Sequence, residues 1–271
     1  MQSNIQLIAD SHVHIYPFMT VESVLEAASR NFFETGTSVQ GSETVGLLVV
    51  ADPEGVRGFE RILEFGDGSG KVGGWRIESA DHRSVTLRKS SYNPIVAIRG
   101  QQLISREGLE VLAIGHDGEL RSGLRLSSLL EKVRDAGGLS VIAWGAGKWL
   151  GRRGRVITEV IVAESGRSDI MLGDNAGRPR CWSRVRQFDL ARESGMRIVA
   201  GTDPLPIAGE ESRIGGYGVR MSIECGSDEA VVDAFCRALA DPDANVQLFG
   251  NLMGIGGFVS NQLRLRLQRI S

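Results

Sequence analysis

Short apolar runs alternate along this chain with segments whose apolar residues recur every three or four positions. Ile5–Ala9 reads as a first strand and runs into Asp10-Ser11-His12-Val13-His14. A helix follows from Thr20 to about Phe33, with Val21, Val24, Leu25 and Ala28 on one face. Val45–Val50 is a buried strand ending at Ala51-Asp52-Pro53. Phe59, Ile62, Leu63 and Phe65 mark a second helix, closed by the glycine-rich turn Gly66–Gly70. From about 72 to 115 the pattern changes. Trp75–Glu78 and Ser84–Arg88 alternate in period two across Ala80–Arg83, which predicts a hairpin. Ile95–Ile98, Gln102–Ile104 and Leu109–Ile114 are short strands with no room for helices between them. Alternation then resumes: a helix over about 125–136, the strand Leu139–Trp144, and a helix from Arg153 to about Ser165. After these come a short strand Ile170–Leu172 and a helix Trp182–Glu193. Arg197–Ala200 reads as the last core strand, ending at Gly201-Thr202-Asp203. Helices near 228–240 and 243–250 and a basic C-terminal helix complete the chain.

Repeated strand–helix units predict a parallel sheet. Over 271 residues, so many units favour a closed or nearly closed barrel over an open sheet. No G-x-G-x-x-G follows the first strand, which argues against dinucleotide binding. No linker divides the chain. The expectation is one domain over 1–271, with a hairpin-rich insertion near 72–115 and a helical segment near 227–271.

Composition narrows the classes. The net charge is −2, from 31 basic and 33 acidic residues, so nothing calls for a polyanionic partner. The basic runs Arg152-Arg153-Gly154-Arg155 and Arg264, Arg266, Arg269 read as exposed helix faces. Three cysteines, Cys181, Cys225 and Cys236, form no C-x-x-C pair, which points to a reducing cytosol. No signal peptide and no membrane-length apolar run is visible. Glycine is abundant, at 35 residues, and falls in the connections, where function is usually carried.

The chemistry is concentrated at strand ends. Side chains alternate along a strand, so Asp10, His12 and His14 are expected on one side together, able to converge on a small cation. Imidazole with carboxylate suits Zn²⁺, Mn²⁺ or Fe²⁺. At the carboxyl ends of barrel strands, where active sites gather, stand Asp52, Lys148, Asp174, Asn175 and Asp203. Asp52-Pro53 reads better as a helix cap or turn, and His116-Asp117-Gly118 as a turn. His82 falls at a hairpin tip. Lys148 reads equally well as a solvated loop residue. The loop Gly201–Gly218 combines Pro204 and Pro206 with glycines and Arg213, as a lid or binding loop would.

These residues together resemble the polymerase-and-histidinol-phosphatase (PHP) domain, within the wider set of amidohydrolase-like barrels. Asp10-Ser11-His12-Val13-His14 is similar to that family's D-x-H-x-H opening. Gly100–Gly115 is similar to its mid-domain stretch, Val141-Ile142-Ala143-Trp144 stands where it has V-I-A-H, and Gly201-Thr202-Asp203-Pro204-Leu205 resembles its G-S-D-A-H. The resemblance covers about residues 5–225. It implies a distorted (β/α)7-8 TIM-like barrel of PHP type with a metal cluster, commonly hydrolysing phosphate esters. By position it makes His12, His14 and Asp203 ligands, with Asp10 beside them. The family's T-D-H reads Ala51-Asp52-Pro53 here, its glutamate reads Gln102, and two of its histidines read Trp144 and Leu205. A full cluster is therefore not expected, and one divalent ion at most is.

The function expected is a metal-dependent hydrolase acting on a small anionic substrate, a phosphoester or an amide or lactone-type bond. Asp203, Asp174 and Lys148 would be catalytic. Arg213, Lys148, Asn175 and Arg178 would bind substrate, and His12, His14, Asp203 and Asp10 would hold the metal. The partner expected is a small anionic metabolite, with no nucleic acid, no membrane, a possible homo-oligomer and a cytoplasmic location. The competing reading is a catalytically degenerate barrel that binds small molecules or regulates.

Overall fold

The computed structural model describes residues 2–33, 43–67, 73–90, 92–226 and 230–268. The strands are β1 (Gln2–Val13), β2 (Glu43–Asp52), β3 (Arg76–Ala80), β4 (Ser84–Arg88), β5 (Ile95–Ile104), β6 (Glu110–Ile114), β7 (Leu139–Ala143), β8 (Ile170–Asn175), β9 (Ile198–Gly201), β10 (Tyr217–Gly226) and β11 (Gln247–Gly250). The helices are α1 (Val21–Phe33), α2 (Gly58–Asp67), α3 (Leu126–Asp135), α4 (Gly151–Ala163), α5 (Arg186–Glu193), α6 (Val231–Ala240) and α7 (Ile255–Gln268).

The strands form one sheet in the order β11-β10-β1-β2-β5-β6-β7-β8-β9, with β3 and β4 hung from β5. It bends into a nearly closed barrel, because β9 returns to β1. The Asp203 N–H donates to the His12 carbonyl at 2.8 Å, and the Thr202 N–H donates to Asp10 Oδ1 at 2.8 Å. Gly201 is required at this seam, since a side-chain carbon there would collide with the His12 backbone. The distorted, nearly closed α/β barrel expected from the sequence is the fold observed.

Both faces of the sheet are covered, which is why its strands read as continuous apolar runs rather than strict alternations. In β2, Val45, Leu47 and Val49 point into the barrel, while Leu48 and Val50 pack outward with α1 and α2. The barrel interior holds Leu7, Ile98, Leu112, Val141, Met171 and Val219, with Val232 and Phe235 of α6 packed against it. Helices α3, α4 and α5 cover the far wall around Leu129, Ile157 and Phe188. Each such buried side chain contributes about 1.5–3 kcal/mol of transfer free energy.

Three sequence expectations need correction. The sheet is mixed rather than parallel: β1–β2, β2–β5, β7–β8 and β8–β9 are parallel, while β5–β6, β6–β7 and β1–β10 run antiparallel. Arg197–Ala200 is not the last core strand, because β10 pairs with β1 over eight positions from Gln2↔Gly226 to Ala9↔Val219. The segment 243–250 is not a helix. Its Gln247–Gly250 portion adds to β10 as an edge strand, where backbone pairing outweighs the helix propensity of so short a piece. The Gly68–Gly70 part of the glycine-rich turn, the first residues of the helix expected near 228 and Arg269 lie outside the described residues. No helix among the described residues is long and apolar enough to cross a membrane.

Candidate metal centre

The carboxyl ends of β1, β5 and β9 meet at one mouth of the barrel. His12 and His14, both buried, turn their Nε2 atoms to within 3.0 Å of each other. Asp203 Oδ1 lies 3.6 Å from His12 Nε2 and 3.4 Å from His14 Nε2. Gln102 Oε1, from β5, is 3.1 Å from His12 Nε2. The ligand atoms of His12, His14 and Asp203 all lie within 4.8 Å of one another, a group that could hold a metal ion. In a tetrahedral site with bonds of about 2.0–2.1 Å, ligand atoms stand roughly 3.3 Å apart, so these separations fit a small divalent cation.

Backbone geometry fixes the carboxylate. Among the described residues, Asp203 alone is a non-glycine residue with positive φ, at 47°. Such strain persists only where surroundings over-determine it, and it clusters at functional sites. Here the His12 carbonyl holds the Asp203 N–H, and Asn175 Nδ2 donates to Asp203 Oδ2 at 2.9 Å. Asn175 Nδ2 also donates to the Trp144 carbonyl at 2.7 Å, tying the ends of β7 and β8 to the same carboxylate.

The site opens into a cavity of about 450 Å³. His14, Gln102 and Asp203 form its floor, with Tyr16, Glu110, Trp144, Lys148 and Asn175 around them. Leu205 and Pro206 of the proline-stiffened loop make one wall, and Phe258, Asn261 and Leu265 of α7 another. Lys148 is ion-paired with Glu110 across this space. Glu110, Tyr16 and α7 were not singled out from the sequence. Glu110 begins an antiparallel strand, so strand-end reasoning built on parallel units looks at the wrong end of it.

Burial is opposed here by charge. Burial works against ionising Asp203, yet the charges of His12, His14 and Lys148 and the His14 hydrogen bond hold its carboxyl well below the usual range. Burial takes the His12 imidazole down to about 4, although Asp203 favours its charged form. For His14, burial is outweighed by the hydrogen bond and charge of Asp203, and its pKa is raised. His14 Nδ1 makes no hydrogen bond of ordinary geometry. Burial, with Asp203 and Glu110 nearby, keeps the Tyr16 hydroxyl protonated.

Several expected site residues lie elsewhere. Asp10 does not join His12 and His14, because the β1–β2 register shifts between Asp10 and Val13 and period-two placement breaks there. Its oxygens are taken by the Thr202 N–H (2.8 Å), the Thr202 hydroxyl (2.5 Å), the Gly215 N–H (2.9 Å) and the His12 N–H (3.3 Å). Asp174 is not placed to act as a base. Arg178 grips it bidentately at 2.8 and 2.6 Å, and the Tyr217 hydroxyl donates to it at 2.8 Å. Arg178 is likewise committed, donating also to the Trp182 carbonyl, and does not line the cavity. Arg213 pairs with the buried Glu210 at 2.8 Å and braces the loop instead of lining the cavity. Asn175 lines the cavity, but both of its amide hydrogen bonds hold protein groups. Asp52 caps α2, accepting from the Gly58 and Phe59 N–H groups at 2.9 Å each.

No family model matches the chain, and no curated protein matches it in sequence. Solved structures do. PsfC from Pseudomonas syringae PB-5123 superposes with a TM-score of 0.56 at 9% identity, over 100% of this chain and 99% of that one. PfuEndoQ from Pyrococcus furiosus, a lesion-specific endonuclease, superposes with a TM-score of 0.51 at 12% identity, over 92% of this chain. The match spans 58% of the endonuclease chain. These likenesses establish a shared fold. They also overturn the exclusion of nucleic acid drawn from net charge, since this fold carries a lesion-specific endonuclease. A near-neutral total says nothing about how charge is distributed over the surface.

Proposed function

We propose that the chain is a metal-dependent hydrolase of phosphate esters, with His12, His14 and Asp203 holding one divalent ion. The observation that carries this reading is the convergence of two buried imidazoles and a strained carboxylate, with His14 and Asp203 lining a 450 Å³ cavity. The donor set suits zinc, manganese or iron, with Gln102 Oε1 as a further, neutral oxygen donor. Held by His12, His14 and Asp203, such an ion would supply Lewis-acid polarisation of a phosphoryl oxygen and a more acidic bound water. Lys148 neutralises a non-bridging phosphate oxygen, and Glu110 keeps its ammonium extended into the cavity. Tyr16, held in its protonated form, donates a hydrogen bond to the oxyanion. Asn175 keeps Asp203 Oδ1 aimed at the imidazoles.

Elemental analysis of protein purified without chelator tests this. The expected content approaches one ion per chain, lost in His12→Ala, and less than about 0.2 per chain, unaltered by that substitution, overturns the reading. Hydrolysis of p-nitrophenyl phosphate and its diester should stop in chelator and return with the ion.

One observation favours the competing reading of a degenerate binding barrel. Trp144 stands at a position where the resemblance expects a ligand histidine, and its ring packs edge-on against Trp182 at 5.4 Å. Under that reading phosphate-bearing compounds raise the melting temperature equally with and without chelator, and nothing is turned over.

A further inference from the structure

Beyond the tip of the β5–β6 hairpin lies a second cavity, of about 600 Å³, lined by Arg106, Arg125, Arg152 and Arg153 with Glu107 and Val156. Among the described residues none of these four arginines makes a salt bridge, whereas Arg134, Arg178 and Arg213 are all paired. The single carboxylate present, Glu107, is occupied: its Oε2 accepts from the Leu126 N–H at 3.0 Å. The site therefore carries four uncompensated cations against one engaged anion.

Its placement is unfavourable without an anion. Arg152 and Arg153 sit in the first turn of α4, and Arg125 is the N-terminal flanking residue of α3. Neither helix has an acidic residue in its first turn or a cap from its own flanking side chain, and α3 takes its one carboxylate from Glu107 through the Leu126 N–H. Helix N-termini carry partial positive charge and favour acidic groups, so arginines there raise the local potential further. Four guanidinium groups lining one cavity, two of them from the first turn of α4, form a site that an anion would stabilise. Local rules are broken in this way chiefly where function demands it.

The arginine cavity adjoins the metal centre. Arg153 Nη2 donates to the Gly147 carbonyl at 3.3 Å, and the next residue, Lys148, lines the first cavity. Gln102 at the metal centre and Arg106 are four residues apart on one hairpin, at most about 13 Å along extended chain. A ligand with several phosphates in a row could therefore place one at the metal centre and another at the arginines.

We infer that Arg106, Arg125, Arg152 and Arg153 form a track for the sugar–phosphate backbone of a nucleic-acid strand leading to the metal centre. That the strand leads to a reactive centre rests on the hydrolase reading above; the anion site itself does not. The test is fluorescence anisotropy with fluorescein-labelled DNA of 6, 12 and 24 nucleotides, single-stranded and duplex, in chelator so that no turnover intervenes. Affinity should rise with length and fall with salt. Arg152→Ser/Arg153→Ser and Arg106→Ser/Arg125→Ser should each weaken binding at least tenfold. The salt slope should drop by about 1 for each phosphate-contacting arginine removed. Arg192→Ser on α5, paired with Asp189, removes one charge elsewhere and should leave affinity within twofold. Melting curves of each variant confirm the fold. Unchanged affinity in the quadruple variant overturns the inference. So does binding that is independent of length and matched by inorganic pyrophosphate, which would assign the arginines to a small anion. Length-dependent binding lost in the variants, with no hydrolysis by wild-type protein once zinc, manganese or iron replaces the chelator, would sustain the track and sink only the hydrolase reading.

Discussion

Asn175 and Asp203 divide one carboxylate between them and the imidazoles: Asn175 Nδ2 donates to Asp203 Oδ2 at 2.9 Å, leaving Oδ1 facing His12 and His14. Asn175 is in turn held by the Trp144 carbonyl, so the ends of three strands set the orientation of one ligand group.

Asn175→Ala should weaken metal binding about 10–100-fold without unfolding the protein, the usual penalty for removing a partner that orients a ligand. Asn175→Asp should be worse, because it sets a like charge against Asp203. Competition against a chromophoric chelator measures both. Affinity equal to wild type would mean that the positive φ and the His12 carbonyl orient Asp203 unaided.

Asp10 is the fastener of the barrel seam. Asp10→Ala orphans the Thr202 and Gly215 N–H groups in a buried position and should lower the unfolding free energy by about 3–5 kcal/mol. Asp10→Asn keeps an acceptor and costs less, in keeping with a carboxyl that burial pushes up to about 6. Urea denaturation of apo protein reads both. Equal stability of the alanine variant would refute the fastening role.

Asp52 gives a pH signature. Burial raises its carboxyl to about 6 from an ordinary 3.8, against the lowering by the Phe59 and Gly58 N–H groups. The fold therefore binds this proton more tightly than the unfolded chain does. Stability is lost as pH rises from 3.8 through about 6 and is level above that. Asp52→Asn should escape this fall, which is of order 1 kcal/mol in this partly exposed setting. Denaturation at pH 4 and at pH 7 compares the two proteins, and parallel profiles would contradict the expectation.

The cysteines should differ sharply in reactivity. Cys181 is exposed and Cys225 is buried. Burial pushes the Cys236 thiol up to about 12, so at pH 8 roughly one part in 10⁴ is thiolate. Ellman's reagent should label one thiol quickly, and Cys181→Ser should abolish that phase. A second fast thiol in the folded protein would count against this packing.

Much of the fold was legible because burial leaves a period in the sequence. Val21, Val24, Leu25 and Ala28 announce α1, and the two-residue alternation on either side of Ala80–Arg83 announces the β3–β4 hairpin. The strand β10 carries the same sign, with Val219, Met221, Ile223 and Cys225 inward, yet it follows a glycine- and proline-rich loop that draws attention from it. Strand direction was not legible, since antiparallel and parallel strands with both faces covered read alike.

By itself, the sequence determined the barrel class and which residue types could bind a cation, because hydrophobic period and ligand chemistry are local properties. It brought His12, His14 and Asp203 forward and marked Gln102, Trp144 and Leu205 as departures. Only the tertiary structure decided which polar groups remain available. Asp10, Asp174, Arg178 and Arg213 look like site residues in one dimension and are each consumed by a buried partner in three. Glu110 and the arginines of β5–β6, α3 and α4 look ordinary and are left facing cavities. The physical reason is that what a charged side chain can still reach is set by its burial and its partners, and these depend on residues distant in sequence, as Asp10 with Thr202 and Gly215 demonstrate.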